Sequence, residues 1–429
     1  MQRREHSEGP DKKCGLKGLE ATTAPAARAR SRALLCLALA ALLTAAPGAR
    51  ADERPAEDAV RLAVFNVWEL SARKALPAEG DADAPGASPQ LRSAAEILQR
   101  VRPDVLLLLE VDYADDDRVL RAFRERFLGV SQSGQEPLVY PHSWTGPVNT
   151  GVPSGYDLNN DGSTESPDDG WGFGRYPGQY GMALLSRFPI DARGVRSFRG
   201  QRWIAMPGHL MPDGRDGRPE WYSPEEAALL RLSSKSLWDV PLEIEGRRLH
   251  VLASHPTPPV FDGEEDRNGR RNFDEIRMVA DYLSGGEAAS WMVDDLGQRG
   301  GLTPAASVVV LGDLNADPVR SPAEYGRPAI DQLLSHPRLV DPVPRSVGRI
   351  DPPSSSRRPP YPGDRRTLTS GFGRIDYALP SRNLEVVASG VYVPEEGSPE
   401  RRLVEGEARA SDHYLVWIDL ALTPQEKPQ

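Results

Sequence analysis

The chain has 429 residues, 39% of them hydrophobic and 27% charged, with a formal net charge of −10 at pH 7. That length and apolar content suffice for one large α/β domain or two ordinary ones, which excludes a disordered tail. The acidic balance repels polyanions at long range and disfavours tight non-specific nucleic-acid binding unless basic groups or metals gather locally.

The N-terminus reads apart from the fold. Arg28, Arg30 and Arg32 precede an apolar run over residues 33–46, and Ala49-Arg50-Ala51 resembles a small-residue cleavage site before Asp52. Residues 1–51 are therefore expected to be a secretory signal with a long polar leader, and the protein to be secreted or periplasmic. The run is shorter than the ~20 residues a membrane span needs, and an uncleaved anchor is the alternative to a cleaved signal. Both cysteines, Cys14 and Cys36, precede the cleavage point, so the exported chain is expected to lack disulfides and to rely on its core, and on any metals it binds. Removing residues 1–51 takes away 9 basic and 4 acidic side chains and leaves a net charge of −15.

In chain order, residues 60–67 alternate as a strand with Asn66 near its end, where an amide asks for a reason. Helical spacing follows over 91–101. The apolar run 105–109 marks a strand buried on both faces, and it ends in Glu110. A helix is expected over 115–127. The Gly/Pro/Asn/Asp-rich insertion at about 131–178 is too long to be an idle connection. Within it, Asp157, Asn159, Asp161, Glu165 and Asp168, with Gly162 at position 6, fit a calcium-loop pattern. Asp168 replaces the usual Glu and Pro167 opposes a flanking helix, so a solvated acidic turn is the competing reading.

Strands are expected over 181–190 and 242–251, the second running into Ser254-His255-Pro256. Arg267, Arg270, Arg271 and Arg277 then lead into an amphipathic helix, either as phosphate contacts or as a solvated face. Residues 308–311 form a short buried strand that breaks at Gly312 into Asp313-Leu314-Asn315. If the extended backbone persists, Asp313 and Asn315 point the same way and could hold a hard cation or a phosphate-bound water; an Asx turn is the plainer alternative. A helix over 329–334 and a Pro/Ser/Arg-rich insertion at 341–367, a linker or a basic lid, follow. Asp376 lies inside the strand 373–379, costly to bury unless paired, and Ser411-Asp412-His413 enters the last strand, 414–420.

So many polar residues at strand ends suit a ligand site. Together, FNV at 65–67, LLLEVD at 107–112, ALLSRFPI at 183–190, SHP at 254–256, GDLNADP at 312–318, GRIDYAL at 373–379 and SDH at 411–413 resemble the endonuclease/exonuclease/phosphatase superfamily. This deoxyribonuclease I-like superfamily includes abasic-site endonucleases, neutral sphingomyelinases and inositol-polyphosphate phosphatases; the longer strings resemble a bacterial exported subgroup. The resemblance implies an α/β fold, a four-layer sandwich of two mixed β-sheets packed face to face with helices outside, and a single catalytic domain over 52–429.

It also implies roles. Asn66, Glu110 and Asp412 resemble divalent-cation ligands, and oxygen donors without Cys suit Mg²⁺ or Mn²⁺, with Ca²⁺ as a structural ion of the 157–168 loop. Asp313 resembles the residue that orients or deprotonates water, with Asn315 holding it or the phosphate. His413 resembles the histidine on the scissile phosphate, Asp376 its carboxylate partner, and His255 a second histidine that helps protonate the leaving oxygen. Trp68 stands where nuclease members often carry a carboxylate, with the acid displaced to Glu69. The expected activity is metal-dependent phosphoric-ester hydrolysis, of phosphodiesterase or nuclease type, with sphingomyelin-type lipid or phosphomonoester substrates as the alternative. A non-catalytic, calcium-stabilised binding module on the same fold is the reading from another class. No protein partner is implied, and a monomer is expected.

Overall fold

The computed structural model describes residues 58–76, 88–212, 221–321, 325–350 and 360–421. All of them belong to one compact unit, Ala46–Gln429. The signal segment expected over 1–51, with both cysteines, lies outside the described residues. Among the described residues, no helix is long and apolar enough to cross a membrane.

Among the described residues, eleven strands run β1 (Ala59–Leu70), β2 (Val105–Val111), β3 (His142–Thr145), β4 (Gly181–Ser186), β5 (Arg196–Ser197), β6 (Leu237–Ile244), β7 (Arg247–Ser254), β8 (Ser307–Asp313), β9 (Asp376–Pro380), β10 (Val386–Val391) and β11 (Val416–Ala421). The helices are α1 (Ala72–Ala75), α2 (Pro89–Val101), α3 (Arg118–Phe123), α4 (Pro224–Leu229), α5 (Arg267–Ser284) and α6 (Asp331–Leu334). One sheet has the order β10-β11-β1-β2-β4-β3 and the other β5-β6-β7-β8-β9. Both are mixed. The pairs β1/β2 and β7/β8 are parallel and the remaining pairs antiparallel. A parallel pair needs a long crossover, and α2 and α5 supply the two.

Period-2 alternation sorts the strand side chains into layers. Leu62 and Val64 of β1, Leu107 of β2, Val240 of β6, Val251 of β7, Val309 and Leu311 of β8 and Val416 of β11 meet between the sheets. The opposite faces take Ala63, Phe65, Leu106 and Leu108 against α2 and α3, and Leu252, Val308 and Val310 against α5. Each such fully buried aliphatic contributes ~1.5–3 kcal/mol. The result is the four-layer sandwich that the resemblance implies. Gly312 permits close approach of β8 to β7, since a Cβ there would lie 2.1 Å from the Ser254 carbonyl oxygen.

Several expectations change. The strand expected over 242–251 is a hairpin, β6 and β7, turning at Glu245 (φ 49°) and Gly246 (φ 78°). The first insertion carries an edge strand, β3, and sends Val148 into the inter-sheet core and Leu158 and Trp171 onto the α5 side. The described ends of the second insertion put Ile350 and Tyr361 into the inter-sheet core, and Arg345 pairs with Asp364 at 3.1 Å, so these ends are structural; residues 351–359, with Arg357 and Arg358 of the expected linker or lid, lie outside the described residues. The helix expected over 115–127 is α-helical only at Arg118–Phe123 and continues as a π-helical turn, Arg124–Leu128.

Candidate functional site

The inter-sheet faces are apolar along their length and turn polar at one edge. On β1, Leu62 and Val64 are followed two residues on by Asn66; on β7, Val251 and Ala253 by His255; on β8, Val309 and Leu311 by Asp313. These are carboxyl ends of strands in the two parallel pairs, where ligands of α/β sheets bind. The antiparallel neighbours begin at the same edge: Asp376 opens β9 directly opposite Asp313, and His413 lies just before β11. Topology therefore gathers residues up to 347 positions apart in the sequence, from Asn66 to His413.

Asp313, Asp376 and His413 come together with ligand atoms within 4.8 Å of one another, all three buried. His413 Nδ1 and Asp376 Oδ2 are 2.9 Å apart. Thr369 Oγ1 accepts the Ile375 and Asp376 amides, both at 2.9 Å, and Ser411 Oγ accepts the His413 amide at 3.0 Å, which fixes both partners. Asp313 Oδ2 lies 3.7 Å from His413 Nε2 and 3.6 Å from His255 Nε2. Asn66 Nδ2 donates to Asp313 Oδ2 at 3.2 Å and to Glu110 Oε1 at 3.0 Å.

Glu110 reaches this place through a β-bulge. It has φ of 60°, and the register of β2 against β4 shifts between Leu109 and Val111. The bulge turns Val111 to the helix side although Leu109 faces the other sheet. Trp68 and Glu69 on the neighbouring strand also have positive φ, and the Glu69 amide donates to Glu110 Oε2 at 3.1 Å. Asn315 has φ of 51° as well, so the extended backbone stops at Asp313. Its amide donates to Asp313 Oδ1 at 3.0 Å, an Asx turn, while its Nδ2 donates to the Pro256 carbonyl at 3.2 Å. The Asx-turn reading of GDLN thus holds, the extended pairing of Asp313 with Asn315 does not, and the turn borders the cluster. Unfavourable backbone concentrated here is stored strain of the kind functional sites carry.

The electrostatics separate the titratable groups. Burial pushes the Asp313 carboxyl up to about 7, with Asp376 adding to the rise and His413 opposing it. Burial likewise raises Glu110, against the hydrogen bond from Asn66. For His413, burial favours the neutral ring, but Asp376 and Asp313 outweigh it and hold the imidazole well above 6.5. His255 goes well below 6.5, through burial and then the charges of Lys235 and His413. Its Nδ1 has no hydrogen-bond partner among the described residues, nor has Asp376 Oδ1. Asp412 is half-buried, and its charge acts on both Glu110 and His413.

The Endonuclease/Exonuclease/phosphatase family model matches residues 63–413. The chain belongs to this endonuclease/exonuclease/phosphatase family. Solved structures similar to it include a family protein from Beutenbergia cavernae (19% identity, 85% of this chain and 72% of that one, TM-score 0.47). A mannosyl-6-phosphatase from Bacteroides thetaiotaomicron is 14% identical over 84% of this chain and 99% of that one, with TM-score 0.42. The human Nocturnin catalytic domain is 15% identical over 86% and 97%, with TM-score 0.42. No curated protein matches. Members of the family are phosphoesterases and nucleases, and they commonly use divalent metals.

Against that membership, the structure brings together Asn66, Glu110, His255, Asp313, Asn315, Asp376 and His413, with Asp412 beside them. Glu69 does not stand in for the carboxylate absent at Trp68: its Oε1 accepts the Tyr180 hydroxyl at 3.1 Å, and it lines a neighbouring cavity of about 640 Å³ with Asp112, Arg175 and Tyr176. Trp68 is 38% exposed, with Lys74 and Arg409 over its ring at 5.5 and 5.2 Å. The arginines weighed as phosphate contacts have protein partners. Arg271 donates to the carbonyls of Leu232, Trp171 and Arg231, Arg267 pairs with Glu265 at 2.5 Å and Asp168 at 3.6 Å, and Arg277 pairs with Asp281 at 3.6 Å. In the 157–168 loop, Asp157 and Asp161 accept backbone amides of the loop itself, and Asn159 Nδ2 donates to Asp161. Among the described residues, only Asp313, Asp376 and His413 form a tight acidic/His cluster, so this loop's carboxylates do not converge to that degree.

Proposed function

We propose that the protein is an exported, divalent-metal-dependent phosphoric-ester hydrolase of phosphodiesterase or nuclease type. The observation that carries this is the meeting of Asp313, Asp376 and His413 within 4.8 Å, tied through Asn66 to Glu110. A carboxyl poised at about 7 suits a general base at neutral pH, and an imidazolium beside it suits the developing phosphoryl charge.

The donor set fits a hard cation. Glu110, Asp313, Asp376 and Asp412 set four carboxylates around few cationic side chains, and the half-buried Glu110 has no ion-pair partner among the described residues. Asn66, Glu110 and Asp412 would hold Mg²⁺ or Mn²⁺, which when bound neutralises phosphoryl charge as a Lewis acid. In the reaction, Asp313 aligns the attacking water and takes its proton. Asn315 steadies Asp313 through the Asx turn. His413, oriented by Asp376, donates from Nε2 to the phosphoryl group and carries the proton available to the leaving oxygen. His255 is held toward the neutral ring, 3.6 Å from Asp313, which makes it a weaker proton donor than the resemblance implies.

The test is an assay of the purified protein on DNA, RNA, sphingomyelin and bis(4-nitrophenyl) phosphate, with Mg²⁺ or Mn²⁺ and with chelator. Turnover that chelator abolishes is expected on at least one; absence of metal-dependent turnover on all four would refute the reading. Export is checked by sequencing the N-terminus of the protein recovered outside the cytoplasm, expected to start near Asp52.

A further inference from the structure

Residues 233–236, Ser-Ser-Lys-Ser, lead into β6, and all four are buried, Lys235 with 5% exposure. Polar backbone this deep needs partners, and three of its groups have them. The Ser234 amide donates to Glu275 Oε1 at 2.6 Å, Asn149 Nδ2 donates to the Ser233 carbonyl at 2.8 Å, and the Asn149 amide donates to the Lys235 carbonyl at 3.1 Å. The first insertion also presses directly on this segment, for a Cβ at Gly172 would lie 2.1 Å from the Ser234 carbonyl oxygen. Glu275 Oε2 accepts the Thr257 amide at 2.5 Å, so one carboxylate binds the backbone beside Lys235 to the backbone just past His255. The pairing of Leu237 with Ser254 runs the same way, carrying residue 235 toward Pro256, whose carbonyl Asn315 holds.

The Lys235 ammonium has no hydrogen bond or ion pair among the described residues, yet it lies within electrostatic reach of Glu275, Asp313, Glu110 and His255. An ammonium on a side chain this buried, with no hydrogen-bonded partner among the described residues, is costly in a finished fold. The same arrangement is useful if the missing partner is the substrate.

We propose that Lys235 is a further substrate-binding residue of this site, its ammonium taking a non-bridging oxygen of the phosphate, with Glu275 and Asn149 as positioning residues for it. The inference rests on the hydrolase reading above. The test compares Lys235→Met and Lys235→Gln with the wild type, each first shown folded by circular dichroism. Two quantities are read: kcat/KM on bis(4-nitrophenyl) phosphate, and the affinity for inorganic phosphate by calorimetry with Mg²⁺. Both variants are expected to lose ~100-fold in kcat/KM, as for loss of a charge-stabilising donor. Phosphate affinity should fall at least tenfold, with a melting temperature equal to or above that of the wild type. Variants within threefold of the wild type in both quantities would overturn the assignment. A loss of turnover with unchanged phosphate affinity would overturn it too, as would a wild-type protein that binds no phosphate. If Asp313→Ala abolishes turnover while Lys235→Met retains it, the hydrolase reading stands and this one falls. If the wild type turns over none of the esters, loss or retention of phosphate binding in the variants still decides.

Discussion

Replacing Asp376 by Asn isolates what holds the proton on His413. The pair spans 2.9 Å between two buried side chains, and Asp313 Oδ2 lies at 3.7 Å from the other ring nitrogen. Removing one partner of a buried ion pair costs ~3–5 kcal/mol, and ~1.4 kcal/mol corresponds to one pH unit, so the protonated ring should lose at least about two pH units of stabilisation. Burial, which favours the neutral ring, then acts against Asp313 alone. In the wild type His413 stays charged through neutrality; in the variant the charge is lost as pH rises through the lowered pKa. The basic limb of kcat/KM on bis(4-nitrophenyl) phosphate should therefore move to lower pH by about two pH units, with turnover at neutral pH down ~100-fold. The stability effect has the matching sign. A histidine raised above its unfolded value of 6.5 stabilises fully below that pH, and the contribution disappears as pH rises through the folded pKa. Urea unfolding should therefore show the variant destabilised by ~3 kcal/mol at about pH 6, with the gap closing at alkaline pH. A variant with an unmoved basic limb and near-normal turnover would refute the reasoning.

Three further outcomes follow from particular contacts. Asp313, raised by burial from 3.8 to about 7, binds its proton more tightly folded than unfolded, so stability falls as pH rises through that window, by on the order of 4 kcal/mol. Asp313→Asn in chelator should consequently melt several degrees above the wild type at alkaline pH and show no gain at about pH 4, while losing at least ~100-fold in turnover with Mg²⁺; equal melting at alkaline pH would contradict the burial argument. Away from the site, Arg61 holds Asp419 through bonds of 2.7 and 2.8 Å, both side chains buried, so Asp419→Asn should cost ~3–5 kcal/mol in urea unfolding and leave kcat/KM unchanged. A calcium ion in the 157–168 loop would raise the melting temperature in Ca²⁺ and lose that gain in Asp157→Ala; no shift with Ca²⁺ identifies the loop as an acidic turn.

What the sequence reveals of this site is the set of strands that end badly. Apolar runs of four or five residues that end in Asn66, Glu110 or Gly312-Asp313 are poor strand ends unless something uses them, and all three lie at one edge of the sandwich. The Glu110 bulge is not readable, because nothing in Leu109-Glu110-Val111 signals the positive φ that re-aims the side chain. The β6–β7 turn is not legible either, because Glu245-Gly246 lacks the Asn or Asp that usually marks such a turn. Edge strands β3 and β10 carry weak alternation, with half-buried residues throughout β3. Lys235 is not readable for a different reason: a lysine among serines reads as surface, and the contacts that fix its segment in the interior come from Glu275 and Asn149, 40 and 86 positions away. For the arginines of 267–277, charge in the sequence says nothing of whether a carbonyl or a phosphate will meet it.

The two histidines show how far geometry alone would mislead. His255 and His413 approach the same oxygen of Asp313 at 3.6 and 3.7 Å, almost symmetrically. Only His413 has a second carboxylate, Asp376, on its other nitrogen; His255 Nδ1 has no partner among the described residues and faces the charges of Lys235 and His413. The same distance to Asp313 therefore yields an imidazolium on one side and a neutral ring on the other. That division suits an in-line displacement: the cationic ring takes the phosphoryl charge, and Asp313, bonded to the amide of Asn315 and beside an uncharged ring, remains free to accept the proton of water. Asp376 is thus the residue that makes two similar histidines different, and the direction in which its removal moves the basic limb tests that difference directly.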